Sequence, residues 1–461
     1  MKVLIPCLSL LFFIFTSHAQ DHTENVSGPF TTPQQVTEEC LMCHEEVGED
    51  ILKTRHWNWI GSNLTDTVQG SVVSRGKKNL INNFCIAIPS NWPRCTSCHI
   101  SYGWKDDTFD FSSTENIDCL VCHDQTGTYI KTPTGAGMPD TTVDLLAVAQ
   151  SVGKPNTKNC GSCHFNGGGG TGVKHGDMDS SLYNPTEEID IHMGGLGFGC
   201  IDCHETKNHK ISGGSHGSMA TGENLIACEN CHDSEPHEKD LLNKHYSAVA
   251  CETCHIPTYA KEMPTVIWWD WSKAGEDRES TKDEFGEDTY NKKKGEFVWA
   301  KNVKPEYFWH NGTAKYYEFG EKIENPKLLE LNKLNGKISD PDSKISPFKV
   351  MKGKQPYDPV NDYLIIPKLY GENGYWKTFN WTTASEEGMK VVDLDFSGKV
   401  DFIETEMYWP INHMVMSADN ALKCTSCHGK GGEGLLSWKA LGYPDDPIKK
   451  GGRVKNKLVK Q

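Results

Sequence analysis

Cys-x-x-Cys-His occurs eight times in this chain, starting at Cys40, Cys95, Cys119, Cys160, Cys200, Cys228, Cys251 and Cys424. The second thiols are Cys43, Cys98, Cys122, Cys163, Cys203, Cys231, Cys254 and Cys427. The histidines that follow are His44, His99, His123, His164, His204, His232, His255 and His428. This is the attachment signature of a c-type haem. Two thiols add across the porphyrin vinyl groups, and the adjacent imidazole takes one face of the iron. Cys and His each make up about 4% of the chain, so chance predicts only about 0.03 such motifs. Zinc ribbons and disulfide frameworks also use paired cysteines, but neither requires a histidine after every second one. Eight covalently attached haem c groups are therefore expected.

Each iron has a second axial position. Setting aside His18, which lies in an N-terminal leader, ten histidines remain outside the motifs: His22, His56, His175, His192, His209, His216, His237, His245, His310 and His413. A haem with two histidine ligands carries electrons, whereas a haem lacking the second one can bind substrate. His22 adjoins the leader, His310 lies in an aromatic stretch, and His216 is close enough to His209 for one of them to suffice. The expected distal ligands are thus His56, His175, His192, His209, His237, His245 and His413, seven for eight irons.

Two further residues draw attention. The segment 143–152 reads as a short helix, with Thr141 and Asp144 spaced as a capping box. Gly153 suits a left-handed helix stop, and Pro155 holds Lys154 extended, six residues before Cys160. By itself such a lysine is ordinarily a solvated charge. Cys85 is the one thiol left once Cys7 goes with the leader and the haems take sixteen. It reads either as a buried spectator or as a reactive thiol.

The elements that must position these groups read as follows. Seven motifs crowd residues 20–255, and the eighth follows a long haem-free stretch. The short spacings between motifs 2 and 3 and between motifs 6 and 7 predict neighbouring haems in contact, an electron relay. Residues 256–423 hold Trp268, Trp269, Trp271, Trp299, Trp309, Trp376, Trp381 and Trp409 and read as an aromatic scaffold. Residues 424–461 supply the last haem site and a basic tail. The predicted fold is mainly α, with extensive loops and little β, wrapped around an eight-haem array. Hydrophobic content of 37% suits a chain that packs on cofactors. The net charge of −15 disfavours nucleic acid as a partner. Residues 1–19 read as a secretory signal, with Lys2, an apolar run from Leu8 to Phe15 and a small-x-small site at Ser17-His18-Ala19. That run is too short to span a bilayer. A periplasmic protein that is not integral to the membrane is expected.

From about Gly28 to the Cys424 motif the chain resembles the octahaem tetrathionate reductase family of periplasmic cytochromes. The resemblance rests on the seven-plus-one motif arrangement and on specific strings: Asn82-Asn-Phe-Cys-Ile-Ala-Ile-Pro-Ser90, Tyr102-Gly-Trp-Lys-Asp106, Asp118-Cys-Leu-Val-Cys-His-Asp124, Val152-Gly-Lys-Pro155 and Val173-Lys-His-Gly-Asp177. It implies that Lys154 is the distal ligand of the second haem, held by Cys95, Cys98 and His99, and that Cys85 lies near that iron. The segment between Tyr129 and Asp144 is shorter than the family's. The implied activity is reduction of tetrathionate to thiosulfate, with Lys154 leaving the iron to become a cation beside the substrate. Cys85 would assist by thiol–sulfur exchange. The implied partners are a small inorganic anion and a periplasmic or membrane-bound electron donor. Related octahaem hydroxylamine oxidoreductases and cytochrome c nitrite reductases supply the alternative of nitrogen chemistry at the same haem. The Cys-x-x-Cys-Lys hallmark of the nitrite reductases is absent here. The remaining alternative is a conduit in which every haem has two histidines.

Overall fold

A computed structural model describes residues 22–61, 63–65, 72–214, 221–222, 225–325, 327–429 and 434–459. Residues 1–19, expected to be a secretory signal and containing Cys7 and His18, lie outside the described residues, as does His216. Helices account for 26% of residues and strands for 18%. The expectation of a mainly α protein with little β is therefore wrong, and the correction lies in the haem-free stretch.

Two small ladders come first, β1 (Asn63–Thr65) against β2 (Val72–Ser74) and β3 (Thr206–Lys207) against β4 (Lys210–Ile211). The main sheet follows. Its nine strands are β5 (Thr265–Asp270), β6 (Tyr290–Asn291), β7 (Gly295–Ala300), β8 (Glu306–His310), β9 (Ala314–Tyr316), β10 (Leu328–Leu334), β11 (Lys344–Asp358), β12 (Tyr363–Leu364) and β13 (Asp401–Pro410). They run β6-β7-β5-β11-β13-β10-β9, with β8 and β12 also paired to β11. β5 joins β11 in parallel and β13 joins it antiparallel, so the sheet is mixed.

The physical reason is visible in β13. Ile403, Thr405, Met407 and Trp409 are buried, while Glu404 is exposed and Glu406 half-exposed. That two-residue alternation defines a half-buried strand. β5 is a run of β-branched and aromatic residues, the types that pack best on a pleated surface. Trp269, Trp271 and Trp409 belong to the sheet's core, and none of the eight tryptophans of this stretch lines the large cavity of the haem region. Trp269, Trp271 and Trp409 are almost fully buried with Met351, Met407 and Tyr316, and Trp269 stacks on Trp271 at 5.1 Å.

The motif helices are short, as in Leu120–His123, Thr157–His164, Cys200–Cys203 and Cys251–His255. One helical turn is sufficient. Residues i and i+3 share a helix face, so both thiols reach one porphyrin edge, and the histidine at i+4 follows directly beneath. His44, His99, His204 and His428 sit just past their helices, where the chain turns away.

The sheet is fastened to the haem region. Ala250 N and Thr253 Oγ1 donate to the carbonyl of Ile345 on β11, at 3.0 and 2.7 Å, holding the Cys251–His255 helix. β13 runs on into the segment carrying His413, and Met416 N donates to the His255 carbonyl at 2.8 Å. Among the described residues no helix is long and apolar enough to cross a membrane.

Candidate functional site

A single continuous cavity of about 3980 Å³ runs through the motif-bearing region. An ordinary small-molecule site holds roughly 300–1,000 Å³, so this space suits an array of cofactors. Every motif histidine except His99 lines it.

Six motif histidines face a second imidazole across the cavity. Ring centroids are 6.5 Å apart for His123 and His209, 6.1 Å for His164 and His56, and 6.3 Å for His204 and His413. They are 6.2 Å apart for His232 and His192, 6.2 Å for His255 and His237, and 6.3 Å for His428 and His245. Two imidazoles on opposite faces of one metal, each bonded at about 2.0 Å, put their centroids about 6.3 Å apart. The gaps therefore have the width of an iron.

The outer ring nitrogens support the same fit. A metal-bound imidazole ordinarily donates its other N–H to a fixed acceptor, which sets the tautomer. His123 Nδ1 meets Gly153 O at 2.8 Å, His204 Nδ1 meets Ser212 O at 2.9 Å, and His245 Nδ1 meets Leu241 O at 2.8 Å. His413 Nδ1 meets Asp177 Oδ2 at 3.1 Å, and His237 Nδ1 meets Asn243 Oδ1 at 3.1 Å. Burial pushes His56 down to about 4 and His164 to about 3, keeping both neutral, the form that binds a metal.

Thiols of different motifs also meet. Cys40 and Cys119, Cys98 and Cys163, Cys160 and Cys200, and Cys228 and Cys251 lie close enough to shift one another's titration, and Cys163 Sγ donates to the Cys98 carbonyl at 3.6 Å. Haems attached there would adjoin at their edges. The thiols of motifs 6 and 7 adjoin in this way, whereas motifs 2 and 3, also closely spaced, are not among the adjoining pairs. Motif 2 touches motif 4, and motif 3 touches motif 1, so contact follows the fold as well as the sequence interval.

His175, expected as a distal ligand, lines the same cavity but faces no second imidazole among the described residues. Its ring lies 5.1 Å from Trp409. His310 stands on β8 against Phe348, at 5.3 Å, and does not line the cavity. His22 does line it, as does His44, and its Nδ1 is buried without a hydrogen-bond partner.

His99 is different again. Its ring is fully buried among Trp57, Trp59, Trp104, Phe109 and Phe111, with centroids 4.7–6.3 Å away. Nδ1 meets Ser101 Oγ at 2.6 Å, and Nε2 meets the Trp57 carbonyl. Iron ligation by Nε2 requires that second contact to be given up.

Lys154 lies on the cavity wall with an exposed side chain. Its carbonyl accepts from Gln125 Nε2 at 3.0 Å, next to the Gly153 carbonyl that braces His123. The preceding helix is Leu145–Gln150, capped by Asp144, whose carboxylate accepts from Ala147 N at 3.0 Å. Thr141 is not the cap. Gly153 is not left-handed either. A Cβ there would stand 2.9 Å from Gln125 Cγ, so a larger residue would have to displace the Gln125 side chain.

Cys85 sits in a tight loop beside the second motif. Asn82 Oδ1 accepts from the amides of Phe84, Cys85 and Ile86 at 3.1, 2.6 and 3.1 Å. Asn83 donates to Met351 O and Gln355 donates to Asn82 O, which pins the loop to β11. Burial pushes the Cys85 thiol up, against the opposing pull of Lys294, Arg94 and Lys77.

The same neighbourhood holds two lysines that the sequence reading passed over. Lys77 Nζ lies 3.9 Å above the Trp59 ring, and Lys174 Nζ lies 4.9 Å from the Trp409 ring centroid. Both line the cavity together with Cys98. Burial draws the Lys174 ammonium down to about 7. Lys174 stands in the quoted Val173–Asp177 string, where it looks like an ordinary surface charge.

Comparison with known proteins agrees with this geometry. Family models match residues 39–124 (cytochrome c554 and c-prime), 186–256 (cytochrome c7 and related cytochrome c) and 266–431 (bacterial cytochrome c). An uncharacterised protein of Archaeoglobus fulgidus is 25% identical over 41% of this chain and 80% of its own. The crystal structure of octahaem cytochrome c from Shewanella oneidensis is similar with a TM-score of 0.88 and 49% identity, covering 94% of this chain and 98% of that one. The chain belongs to the octahaem cytochromes c, redox proteins that carry electrons on eight covalently attached haem c groups.

Proposed function

We propose that this protein is an exported, periplasmic octahaem reductase whose substrate is reduced at the haem of Cys95, Cys98 and His99, and that tetrathionate is that substrate. One observation carries the reading: six motif histidines face a second imidazole at iron-bridging distance, while among the described residues His44 and His99 do not, and of these two only His99 lies off the cavity. The paired histidines His56, His192, His209, His237, His245 and His413 would close both faces of their irons. His22, orphaned at Nδ1 in the same cavity as His44, is the candidate second ligand of the first haem. This leaves the second motif for substrate. His175 is not assigned to an iron.

The haems supply electrons singly, and the iron at His99 supplies a Lewis-acidic centre. The chain's own residues do the rest. Lys154, on the cavity wall, would be the residue that holds this haem in the resting protein, a role that requires its neutral amine. Once released it takes a proton and presents a cation to the substrate. Tetrathionate accepts two electrons, its central S–S bond breaks, and two thiosulfates leave. A protonated lysine there stabilises the negative charge that builds on the departing sulfur. Thiol–sulfur exchange needs a thiolate, and burial disfavours that form at Cys85, so Cys85 receives no chemical step.

The test is steady-state turnover with reduced viologen as donor and tetrathionate, nitrite or hydroxylamine as acceptor. Saturable turnover with tetrathionate alone is expected. Preference for a nitrogen substrate would move the chemistry to the alternative reading at the same haem. No turnover with any acceptor would leave an electron conduit.

A further inference from the structure

We infer that the basic C-terminal tail, residues 447–457, is the docking surface on which an acidic one-electron carrier protein exchanges electrons with the eighth haem. The surface serves the array whichever acceptor the second haem reduces, so it stands apart from the choice of substrate.

Charge singles out this end of the molecule. The chain carries −15 overall, yet residues 434–459 hold six basic side chains and two acidic ones. Both acids are engaged locally. Asp446 accepts from His428 Nδ1 at 2.6 Å and from Ile448 N at 2.9 Å, and Asp445 accepts from the Asp446 amide at 2.7 Å. Lys449 meets Asp445 only at 3.9 Å, with both side chains about half exposed, a contact of little strength. Lys439, Lys450, Lys455 and Lys457 are exposed, and among the described residues none of them has a carboxylate within ion-pair distance.

An exposed run of lysines is ordinarily just solvated, but this one is built onto a haem site. Trp438 stacks on His428 at 5.1 Å, and the helix Pro447–Lys450 starts at Asp446, the carboxylate behind that imidazole. Arg453 donates to the carbonyls of Asp340 and Pro341, at 2.8 and 3.2 Å, and to that of Ser247, two residues past His245. The tail is thus fastened to both segments that flank the eighth iron. Pro447, Gly452 and Lys455 line the cavity together with Cys424 and His428, which puts the lysines at the rim of that haem's site. On its other side the motif joins the array. Leu422 N donates to the Cys254 carbonyl at 2.9 Å, so motif 8 abuts motif 7.

The opposite sign prevails at the first motif. Residues 33–53 hold six acids and one base, Lys53. An acidic carrier is repelled there and drawn to the tail. Exposed charges act over roughly 10 Å in dilute salt, and such steering raises association rates by about 10- to 1,000-fold. A lipid surface fits less well. The tail's most exposed apolar side chains, Ile448 and Val454, line the cavity instead of forming a separate face for a bilayer. In the exchange the carrier loses one electron and the iron of the eighth haem passes from ferric to ferrous; no bond forms or breaks.

The experiment is stopped-flow reduction of the oxidised holoprotein by reduced flavodoxin, an acidic one-electron carrier, at low and high salt. Wild type is compared with Lys449→Glu/Lys450→Glu, with Lys455→Glu/Lys457→Glu, and with a control, Lys377→Glu/Lys399→Glu, whose exposed lysines lie away from the cavity. Haem content is verified for each. The wild-type second-order rate constant should fall about tenfold or more from low to high salt. At low salt each tail pair should lower it about tenfold, and the control should stay within about twofold. Reduction by a basic carrier, cytochrome c, should not slow in the tail variants. Equal rates in tail and control variants, or a wild-type rate indifferent to salt, would overturn the docking surface. So would equal slowing with both carriers, which would place the defect in the haem itself. Tail-dependent sedimentation with phosphatidylglycerol-containing vesicles, with carrier kinetics unmoved, would overturn it in favour of a lipid surface. Should a double variant fail to load the eighth haem, Lys450→Gln and Lys457→Gln decide, each by a smaller fall of the same sign.

Discussion

His428 Nδ1 donates to Asp446 Oδ1 across 2.6 Å, joining the last motif histidine to a carboxylate 18 residues further on. Asp446 is 5% exposed, so the contact is shielded from water. A carboxylate behind an imidazole raises its basicity toward the metal, which favours ferric over ferrous iron. Asp446→Asn should raise the potential of the eighth haem by roughly 60 mV, equivalent to a tenfold change in relative affinity. Spectroelectrochemical titration reads this directly, and an unshifted potential set would show that the carboxylate does not tune that iron.

His413 tests the pairing of imidazoles. Asp177 holds it by accepting from its Nδ1 and its backbone amide. His413→Ala should open the sixth position of the haem at His204. The reduced variant should then bind one more carbon monoxide per chain than wild type. An equal stoichiometry would mean that His413 is not an axial ligand.

Cys85 separates structure from chemistry. Cys85→Ser keeps the shape of the loop and removes the sulfur. With no thiolate step assigned, turnover should stay within about threefold of wild type. A loss of about a hundredfold or more, with haem content intact, would restore Cys85 as a reacting group.

The sheet has its own pH signature. Burial pushes Asp358 up, but the amide and hydroxyl of Ser397 and the amides of Asn361 and Val360 outweigh it and hold the carboxyl at about 2. Its ordinary value is 3.8, so the folded state binds this proton less readily than the unfolded chain. The resulting stability is complete above pH 3.8 and is lost as pH falls toward 2, amounting to about 2 kcal/mol. Asp358→Asn should therefore lower the unfolding temperature at pH 7 and converge with wild type near pH 2. A constant difference across that range would contradict the assignment.

Much of the site is legible in the sequence because haem attachment is a local pattern. Thiols at i and i+3 and a histidine at i+4 share one helical turn, and no tertiary knowledge is needed to find them. The histidine pairs are not local. His56 faces His164 and His245 faces His428, and only the fold brings such residues together. The sheet was misread for a different reason. The alternation Ile403, Thr405, Met407, Trp409 is a strand signal in plain view, but the density of tryptophan suggested cofactor packing. Lys174 was missed because a lysine beside a histidine carries no mark of burial. Its place beneath Trp409 follows from the join between β11, β13 and the Val173–Asp177 segment.

The central claim is that one iron, at the second motif, has an axial set unlike the others. Near-infrared magnetic circular dichroism of the oxidised holoprotein, with wild type beside Lys154→Met, tests it most directly. The account predicts a band from one haem with amine and histidine ligands beside the bands of bis-histidine haems. That single band should vanish in the variant, with the rest unchanged. Eight bis-histidine haems in wild type, or spectra identical in the two proteins, would contradict it.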